Sequence, residues 1–397
     1  MTAPSAPSAD GALTSTPRPS LLILSFSPIA SDARVLKQVR LFAPQYDVTT
    51  CGYGPAPDGV AQHVRIPDEL VYWRIAKIPA VLRRFRRVYW RQEVVAWAGA
   101  HLPRGAFDAI LADDVETVGL ALALEPLHGV HADLHEYAPR QKEDVPRWRL
   151  FVAPYMRWLV RTFATRANSA STVGKGLADE YRREFGLDAD VITNAAPYRE
   201  LEPSPVSDDG PLRIVHSGAA MPDRHLEIMI EAAAAVPDDI VFDLYLARND
   251  PAYIERLREL AARTAPERVR ILDPVPYDEL LDTLQAYDIG FYSIPPVSFN
   301  QLHSLPNKFF DFVQARLGVI VSPSPEMAAL VREHGLGRIA DGFDAPALTK
   351  ALSGLDRAQV RAWKRASHAA ARELSAQEQV LGWQRAIDAL LDGGAAR

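Results

Sequence analysis

The sequence predicts an α/β protein made of two doubly wound domains that face a cleft. Short apolar runs alternate with helical patterns along the chain. One segment interrupts the alternation: PYRELEPSPVSDDGP, residues 197–211, is rich in proline and acid, has no periodicity and reads as a linker. The pattern restarts beyond it over a similar length, and two such units joined by one linker place a ligand cleft between them.

Taken in order, the apolar run LLILS at 21–25 is the first strand and 32–42 the first helix, capped by Asp32 or Ser31. Runs at 47–50, 109–112, 130–133, 167–169 and 191–193 supply the remaining strands of a first domain, 21–196. In a second domain, 212–375, strands are expected at 213–217, 242–246, 269–272, 289–292 and 319–321. Gly218 follows the first of these, letting backbone approach a ligand, and a helix capped by Asp223 starts soon after. The run 376–391 is helical and follows a break near Ser375, so 376–397 forms a terminal segment. Residues 1–20, mostly Ala, Ser, Pro and Thr, predict a disordered leader.

Composition bounds the class. With 397 residues, 48% hydrophobic and 24% charged, the chain reads as a globular protein of two domains. A formal charge of −6 argues against nucleic acid as a partner. The single cysteine, Cys51, excludes an internal disulfide and reads as a small apolar filler rather than a nucleophile. The LLIL run is too short to span a membrane and no basic segment precedes it, so a cytoplasmic protein is expected.

The most informative segment is LHSLPNKFFDFVQARLGVIV, 302–321. Pro306 suits a first helical position with Ser304 as cap just before it. Phe309, Phe310, Val313 and Leu317 recur at helical spacing as a buried face, while Asn307, Lys308 and Asp311 share the opposite one. Gly318 is expected to end the helix, and Val319-Ile320-Val321 suits a parallel strand. A helix N-terminus beside a lysine suits a phosphate, and a carboxylate one turn deeper can grip a ribose diol. The plain alternative is an amphipathic helix with a solvated face.

PNKFFDF, followed by a glycine and a V-I-V strand, resembles the donor-site segment of retaining GT-B glycosyltransferases, specifically family 4. The resemblance implies the GT-B fold, with a C-terminal helix crossing back to the first domain. It implies that Asp311 stands in for the glutamate that holds the ribose, and that His303 occupies the place of an earlier glutamate. It pairs Gly218 with a basic residue six places on, Arg224, which meets the donor pyrophosphate; Ala219 stands where a second basic residue often follows. Lys308, Ser304 and Asn307 would complete the phosphate site, and Val275 and Pro276 would line the base pocket. As single residues, Arg224 and Lys308 would more often be solvated surface charges.

In the first domain HADLHEY, 131–137, ends a strand with Asp133, His135 and Glu136. Its D-x-H-E resembles the family segment whose histidine approaches the transferred sugar; otherwise His135 is a satisfied loop residue. Asp113 and Asp114 match a family segment that touches acceptor or sugar, without its histidines; otherwise they cap a helix. No D-x-D or metal-spaced cluster is visible, so neither metal nor cofactor is expected. The resemblance implies retention by a front-face route, with UDP as the favoured donor nucleotide and GDP next.

Between 71 and 92 lie seven basic residues and no acid, Arg74, Lys77, Arg83, Arg84, Arg86, Arg87 and Arg91, interleaved with Tyr72, Trp73, Phe85, Tyr89 and Trp90. A second stretch, 147–166, repeats the theme with Trp148, Tyr155 and Trp158. Such helices can lie on an anionic leaflet, giving a peripheral membrane contact through 74–91. The alternative is two solvated arginine faces over core aromatics, and RNA binding is a third, weaker reading. The function expected is transfer of a sugar from a nucleotide diphosphate to an envelope glycan, a lipid-linked acceptor or a secondary metabolite. The competing readings are an inactive GT-B scaffold for a partner enzyme and a nucleotide-sugar epimerase.

Overall fold

The computed structural model describes residues 18–236 and 240–394. The expected leader therefore lies outside the described residues except for its last three, and Ser20 already belongs to a strand. Among the described residues the first sheet comprises β1 (Ser20–Pro28), β2 (Asp47–Tyr53), β3 (Gln62–Arg65), β4 (Ala109–Asp113), β5 (Gly129–Leu134), β6 (Ser169–Thr172) and β7 (Asp190–Val191). The second comprises β8 (Leu212–Ala219), β9 (Ile240–Ala247), β10 (Val269–Leu272), β11 (Ile289–Tyr292), β12 (Gly318–Val321) and β13 (Gly337–Ile339). Their orders are β3-β2-β1-β4-β5-β6-β7 and β10-β9-β8-β11-β12-β13, all parallel. Each order reverses once, between β1 and β4 and between β8 and β11, and such switch points open a crevice at the carboxyl ends of the strands.

Both faces of each sheet are covered, which is why the strands read as continuous apolar runs. On β1, Leu22 and Leu24 enter one core, while Leu21 and Ile23 enter another. That second core is completed by Trp383, Ile387 and Leu390 of the C-terminal helix, Leu381–Gly394, so the end of the chain packs on the first sheet. Gly382 permits the approach: a methyl there would lie 2.7 Å from the Ile192 side chain. The segment 197–211 carries no helix or strand, yet Val206 is buried in the core of the second sheet.

Several expectations shift. β6 and β7 are displaced by one to three residues from 167–169 and 191–193, and β3 and β13 escape sequence reading because both are short and partly exposed. Asp223 does not cap a helix. It lies in a single turn, Pro222–Arg224, after which His225 takes a left-handed φ of 49° and the helix begins at Glu227. The helix Asn307–Gln314 has Pro306 at its N-cap position, and Ser304 makes no capping bond. Gly318 does not stop it: Arg316 turns the chain at φ 62°, and Gly318 is the first residue of β12. Arg316 is fully buried and donates to the carbonyls of Gln314 and Arg199, both at 2.6 Å, which satisfies a charge that sequence reading would place outside. The stretch 71–92 is broken into the short helices Lys77–Val81 and Phe85–Trp90, with Phe85 and Tyr89 in the core.

Candidate active site

The crevice at the β8/β11 switch point holds a pocket of about 250 Å³. Ser217, Gly218 and Ala219 at the end of β8 form one side, Tyr245 and Ala247 at the end of β9 another. Val275 and Tyr277 close it from the loop and helix after β10, and Asn307, Lys308 and Asp311 enter from the helix after β11. Five residues singled out from sequence thus share one cavity. The helix carrying them is driven inward by Phe309, Phe310, Phe312 and Val313, all fully buried.

Gly218 is required by packing. A Cβ there would lie 2.2 Å from Cε and 2.7 Å from Nζ of Lys308, so only a glycine leaves the ammonium its place. Lys308 has no acidic partner in an ion pair among the described residues; its Nζ stands 6.0 Å from the Tyr292 ring centre. Burial, then the nearby charge of Arg224, push this ammonium down to about 8. His216, buried behind them, is pushed down to about 3 by burial and by the same two cations, and it accordingly stays neutral. Asp311 is 4% exposed, and its Oδ1 has no hydrogen-bond partner. Burial raises its carboxyl to about 7, with Lys308 and Lys37 opposing. Lys37 comes from the first helix, Ala33–Phe42, where it donates to the Ala195 carbonyl at 2.6 Å. Arg224 does not line the cavity but lies within the field of Lys308, and one cation and one unsatisfied acid in a small cavity suit a diphosphate joined to a group that carries hydroxyls.

Not every expected donor residue reaches this pocket. Pro276 adjoins Val275 at the N-cap of the helix Tyr277–Leu284 but does not line the cavity. His303 is turned away: its Nδ1 lies 3.1 Å from Glu326 Oε1 and its ring packs on Phe299. Glu326 also accepts from the backbone N–H groups of Lys175 and Gly176 at 2.9 and 2.7 Å, so His303 belongs to a bridge between the two halves. Ser304 likewise offers no group to the cavity; its carbonyl faces Ser324 Oγ.

Across the cleft, β4 and β5 end in a second cluster. Strand register sets Asp113 opposite Asp133 and Asp133 opposite Ser171. Asp133 is fully buried, and its oxygens accept from Arg34 at 2.6 and 2.7 Å, Gln38 at 2.9 Å and Ser171 at 2.6 Å. Of the four acids assigned to acceptor or sugar, Asp113 and Asp133 are both fully buried, and Asp133 is the one whose hydrogen-bonding capacity Arg34 and its neighbours already consume. Asp114 occupies the N-cap position of the helix Val115–Ala123 but makes no capping bond. Its φ of 65° instead turns the carboxylate toward His135, with Oδ2 3.4 Å from Nδ1. A non-glycine residue held there stores strain, as functional turns do.

His135 Nε2 faces Asp113 at 3.3 Å and Asp133 at 3.5 Å. Burial disfavours the charged ring, but Asp114, Asp113 and Asp133 outweigh it and hold its pKa well above the ordinary value. Asp113 accepts from Gln38 at 2.8 Å, has its second oxygen unpartnered, and is raised to about 7 by burial. Glu136 is exposed, with Oε2 3.5 Å from the amide nitrogen of Asn300. Sequence reading passed over Glu116, whose carboxyl is raised to about 8 by burial and by Asp114. It also passed over Arg34, Lys37 and Gln38; their spacing, i, i+3 and i+4, puts them on one face of the first helix and was the available signal.

The structure gathers Asp113, Asp133 and His135 with one ligand atom each within 4.8 Å of one another, a grouping invisible as sequence spacing. The set does not fit a divalent ion, because Arg34 takes both oxygens of Asp133 and would face the ion with like charge. Among the described residues no helix is long and apolar enough to cross a membrane. Cys51 is buried in β2 and its thiol is pushed up to about 12 by burial.

No family model and no curated protein matches the sequence. Solved structures do match. HepE of Anabaena, in complex with UDP and glucose, is 13% identical with a TM-score of 0.64, over 94% of this chain and 100% of that one. Sucrose-phosphate synthase of Thermosynechococcus elongatus is 14% identical with a TM-score of 0.66, over 95% and 100%. A glycosyltransferase of Rickettsia africae is 10% identical with a TM-score of 0.67, over 94% and 99%. Two doubly wound parallel sheets facing a cleft, matched along nearly the whole chain, give this protein the GT-B fold of nucleotide-sugar glycosyltransferases.

Proposed function

We propose that the chain is a retaining, metal-independent glycosyltransferase of family 4 that moves a hexose from a nucleotide diphosphate, UDP before GDP, to an acceptor hydroxyl. The observation that carries this reading is the pocket at the β8/β11 switch, where Gly218 makes room for the Lys308 ammonium beside an unpartnered Asp311. HepE binds UDP and UDP-glucose in its complexes, which supports the same ligand class here. Lys308, Arg224 and the free N–H groups at the start of the Asn307–Gln314 helix would take the diphosphate. Asp311 would accept from the ribose hydroxyls, and Val275 would lie along the base.

In the transfer the acceptor oxygen bonds to the anomeric carbon as the bond to the β-phosphate oxygen breaks. The electron pair leaves with the diphosphate, and one of its oxygens receives the acceptor proton. The chain's own part is electrostatic: Lys308 and Arg224 stabilise the charge that grows on the leaving group. His135, held cationic by Asp113 and Asp114, would donate to a sugar hydroxyl. Asp113, Asp114, Glu116 and Glu136 would accept from sugar or acceptor hydroxyls. The acceptor class is an envelope glycan, a lipid-linked sugar or a secondary metabolite.

The test is calorimetric titration of the protein with UDP, GDP, ADP and TDP without metal, alongside Asp311→Asn. One nucleotide should bind, about tenfold more weakly in the variant, as expected for losing a charged acceptor. Absence of binding to all four would leave the inactive scaffold as the better reading, since His303 and Ala219 already depart from the donor-site pattern.

A further inference from the structure

A polar row runs through the first sheet beneath the C-terminal helix. His131 and Asp133 on β5 lie opposite Ser169 and Ser171 on β6, and Leu111, opposite His131 on the other side, packs in the core that this helix completes. His131 is fully buried. Its Nδ1 lies 2.8 Å from Ser169 Oγ and its Nε2 2.9 Å from Ser171 Oγ, which donates to Asp133 at 2.6 Å. These contacts fix where the protons sit. Burial disfavours the Asp133 carboxylate, but Arg34 overrides burial and holds the group well below the usual carboxylate range, so Asp133 only accepts. Ser171 spends its proton there and takes a hydrogen bond from His131 Nε2–H. Burial pushes His131 down to about 4, so the ring is neutral, Nδ1 is bare and Ser169 donates to it. Every bond in the row therefore points toward Asp133, whose Oδ2 lies 3.5 Å from His135 Nε2 at the cleft.

The outer end of the row opens into a cavity of about 490 Å³ at the amino ends of β5, β6 and β7, the opposite end of the sheet from the cleft. Ser169 lines it with only lone pairs to offer, and the Asp190 carboxylate accepts as well. Asn168 gives its Oδ1 to the Val130 N–H at 3.0 Å, which leaves its amide N–H groups to donate. Arg385 of the C-terminal helix has no acidic partner among the described residues, and Leu127 and Leu390 supply an apolar wall. Two acceptors beside a neutral donor call for hydroxyls, which both donate and accept. An ammonium cannot answer Asn168, and a fully ionised anion cannot answer Ser169. The guanidinium calls for one anionic group besides, and a cavity of this size holds a small molecule. We propose that this is a second binding site, taking a pyranose that carries one anionic group, and that the row carries its occupancy to the cleft wall. The site does not rest on the glycosyltransferase reading. A hydroxyl donating to Ser169 polarises each following bond in the same direction, and so reaches Asp133 and His135.

The test is nuclear magnetic resonance of the full chain labelled with nitrogen-15 in its histidine rings, titrated with glucuronate, glucose 6-phosphate and glucose. Before any sugar is added, His131 should carry its proton on Nε2. The anionic sugars should then move the ring signals of His131 and of His128, which also lines the cavity, with glucose at least about tenfold weaker. The tighter of the two anions tells a carboxylate ligand from a phosphate. Arg385→Ala should weaken binding at least about tenfold, whereas Lys308→Ala should leave it unchanged, which excludes the donor pocket. His135 should respond to the sugar in the wild type and not in Ser169→Ala, and unchanged circular dichroism shows the variants folded. A His131 proton on Nδ1, no response of His128 to any of the three sugars, unweakened binding in Arg385→Ala, or a His135 response that survives Ser169→Ala would each overturn the proposal. UDP binding, read on the same samples, bears on the glycosyltransferase reading alone, so the two can fail separately.

Discussion

The two walls of the cleft differ in charge and in how far their groups are already satisfied. The wall on the second sheet sets Lys308, with Arg224 in its field, beside one acid, Asp311, whose Oδ1 accepts nothing, and Lys308 has no ion-pair partner among the described residues. The wall on the first sheet is neutralised from within: Asp133 is bonded twice by Arg34, and His135 lies among three carboxylates. Buried polar groups are ordinarily paired. The first wall is therefore largely satisfied by the fold, with Asp113 Oδ2 left over, while the second leaves both its ammonium and its acid for a ligand to pair. The first spends its charges on stability and geometry, and the second keeps them for binding.

The sharpest way to break this contrast is Arg34→Ala. It would strand the buried Asp133 carboxylate and should cost about 3–5 kcal/mol in unfolding free energy by urea denaturation. A loss below about 1 kcal/mol would mean that the first wall is not held together by that pair. Lys308→Ala should do the reverse. Turnover should fall on the order of 10²–10³-fold, while the urea midpoint stays near wild type because no internal bond is lost. A comparable loss of stability would return Lys308 to the structural class.

Two smaller effects sharpen the picture. Gly218→Ala places a methyl 2.2 Å from Lys308 Cε and should displace the ammonium without disturbing the core. Nucleotide affinity should drop about tenfold, the loss of roughly one charge-assisted bond, and unchanged affinity in calorimetry would show that the ammonium is not the anchor. The last effect concerns pH. The Asp311 carboxyl is raised from 3.8 to about 7 in the folded chain, so its contribution to stability is fully present below about 3.8 and is lost as pH rises through about 7. Asp311→Asn removes that loss. The ligand-free variant should gain roughly 1–3 kcal/mol relative to wild type between pH 4 and pH 8, read from urea midpoints at the two pH values. A constant difference across that range would mean that Asp311 ionises freely.

Much of the second wall was legible in sequence because its parts are local. Asn307, Lys308 and Asp311 lie within about one helical turn of one another, and their spacing alone puts them on one face. Gly218 and Arg224 follow a recognisable strand end. The alternative of a solvated face does not hold for Asp311, which is buried in the crevice at the end of β8. His303 and Ser304 are only a few residues upstream, yet they face another neighbour, since the chain bends at Pro306 before the helix begins. The first wall was less legible. Asp113 and Asp133 are neighbours through strand register, and Arg34 reaches Asp133 across ninety-nine positions of sequence.

By itself the sequence determined the fold class, the order of most strands and the pairing of a cationic helix start with an acid one turn on. These follow from short-range periodicity, which each segment carries within its own residues. Only the tertiary structure decided which polar groups are spent and which are free. That depends on register between strands, on Arg316 and His225 turning the chain where a glycine or a cap was expected, and on the C-terminal helix returning to cover the first sheet. Hydrogen-bonding capacity is consumed by partners far away in sequence, and no local pattern records their arrival.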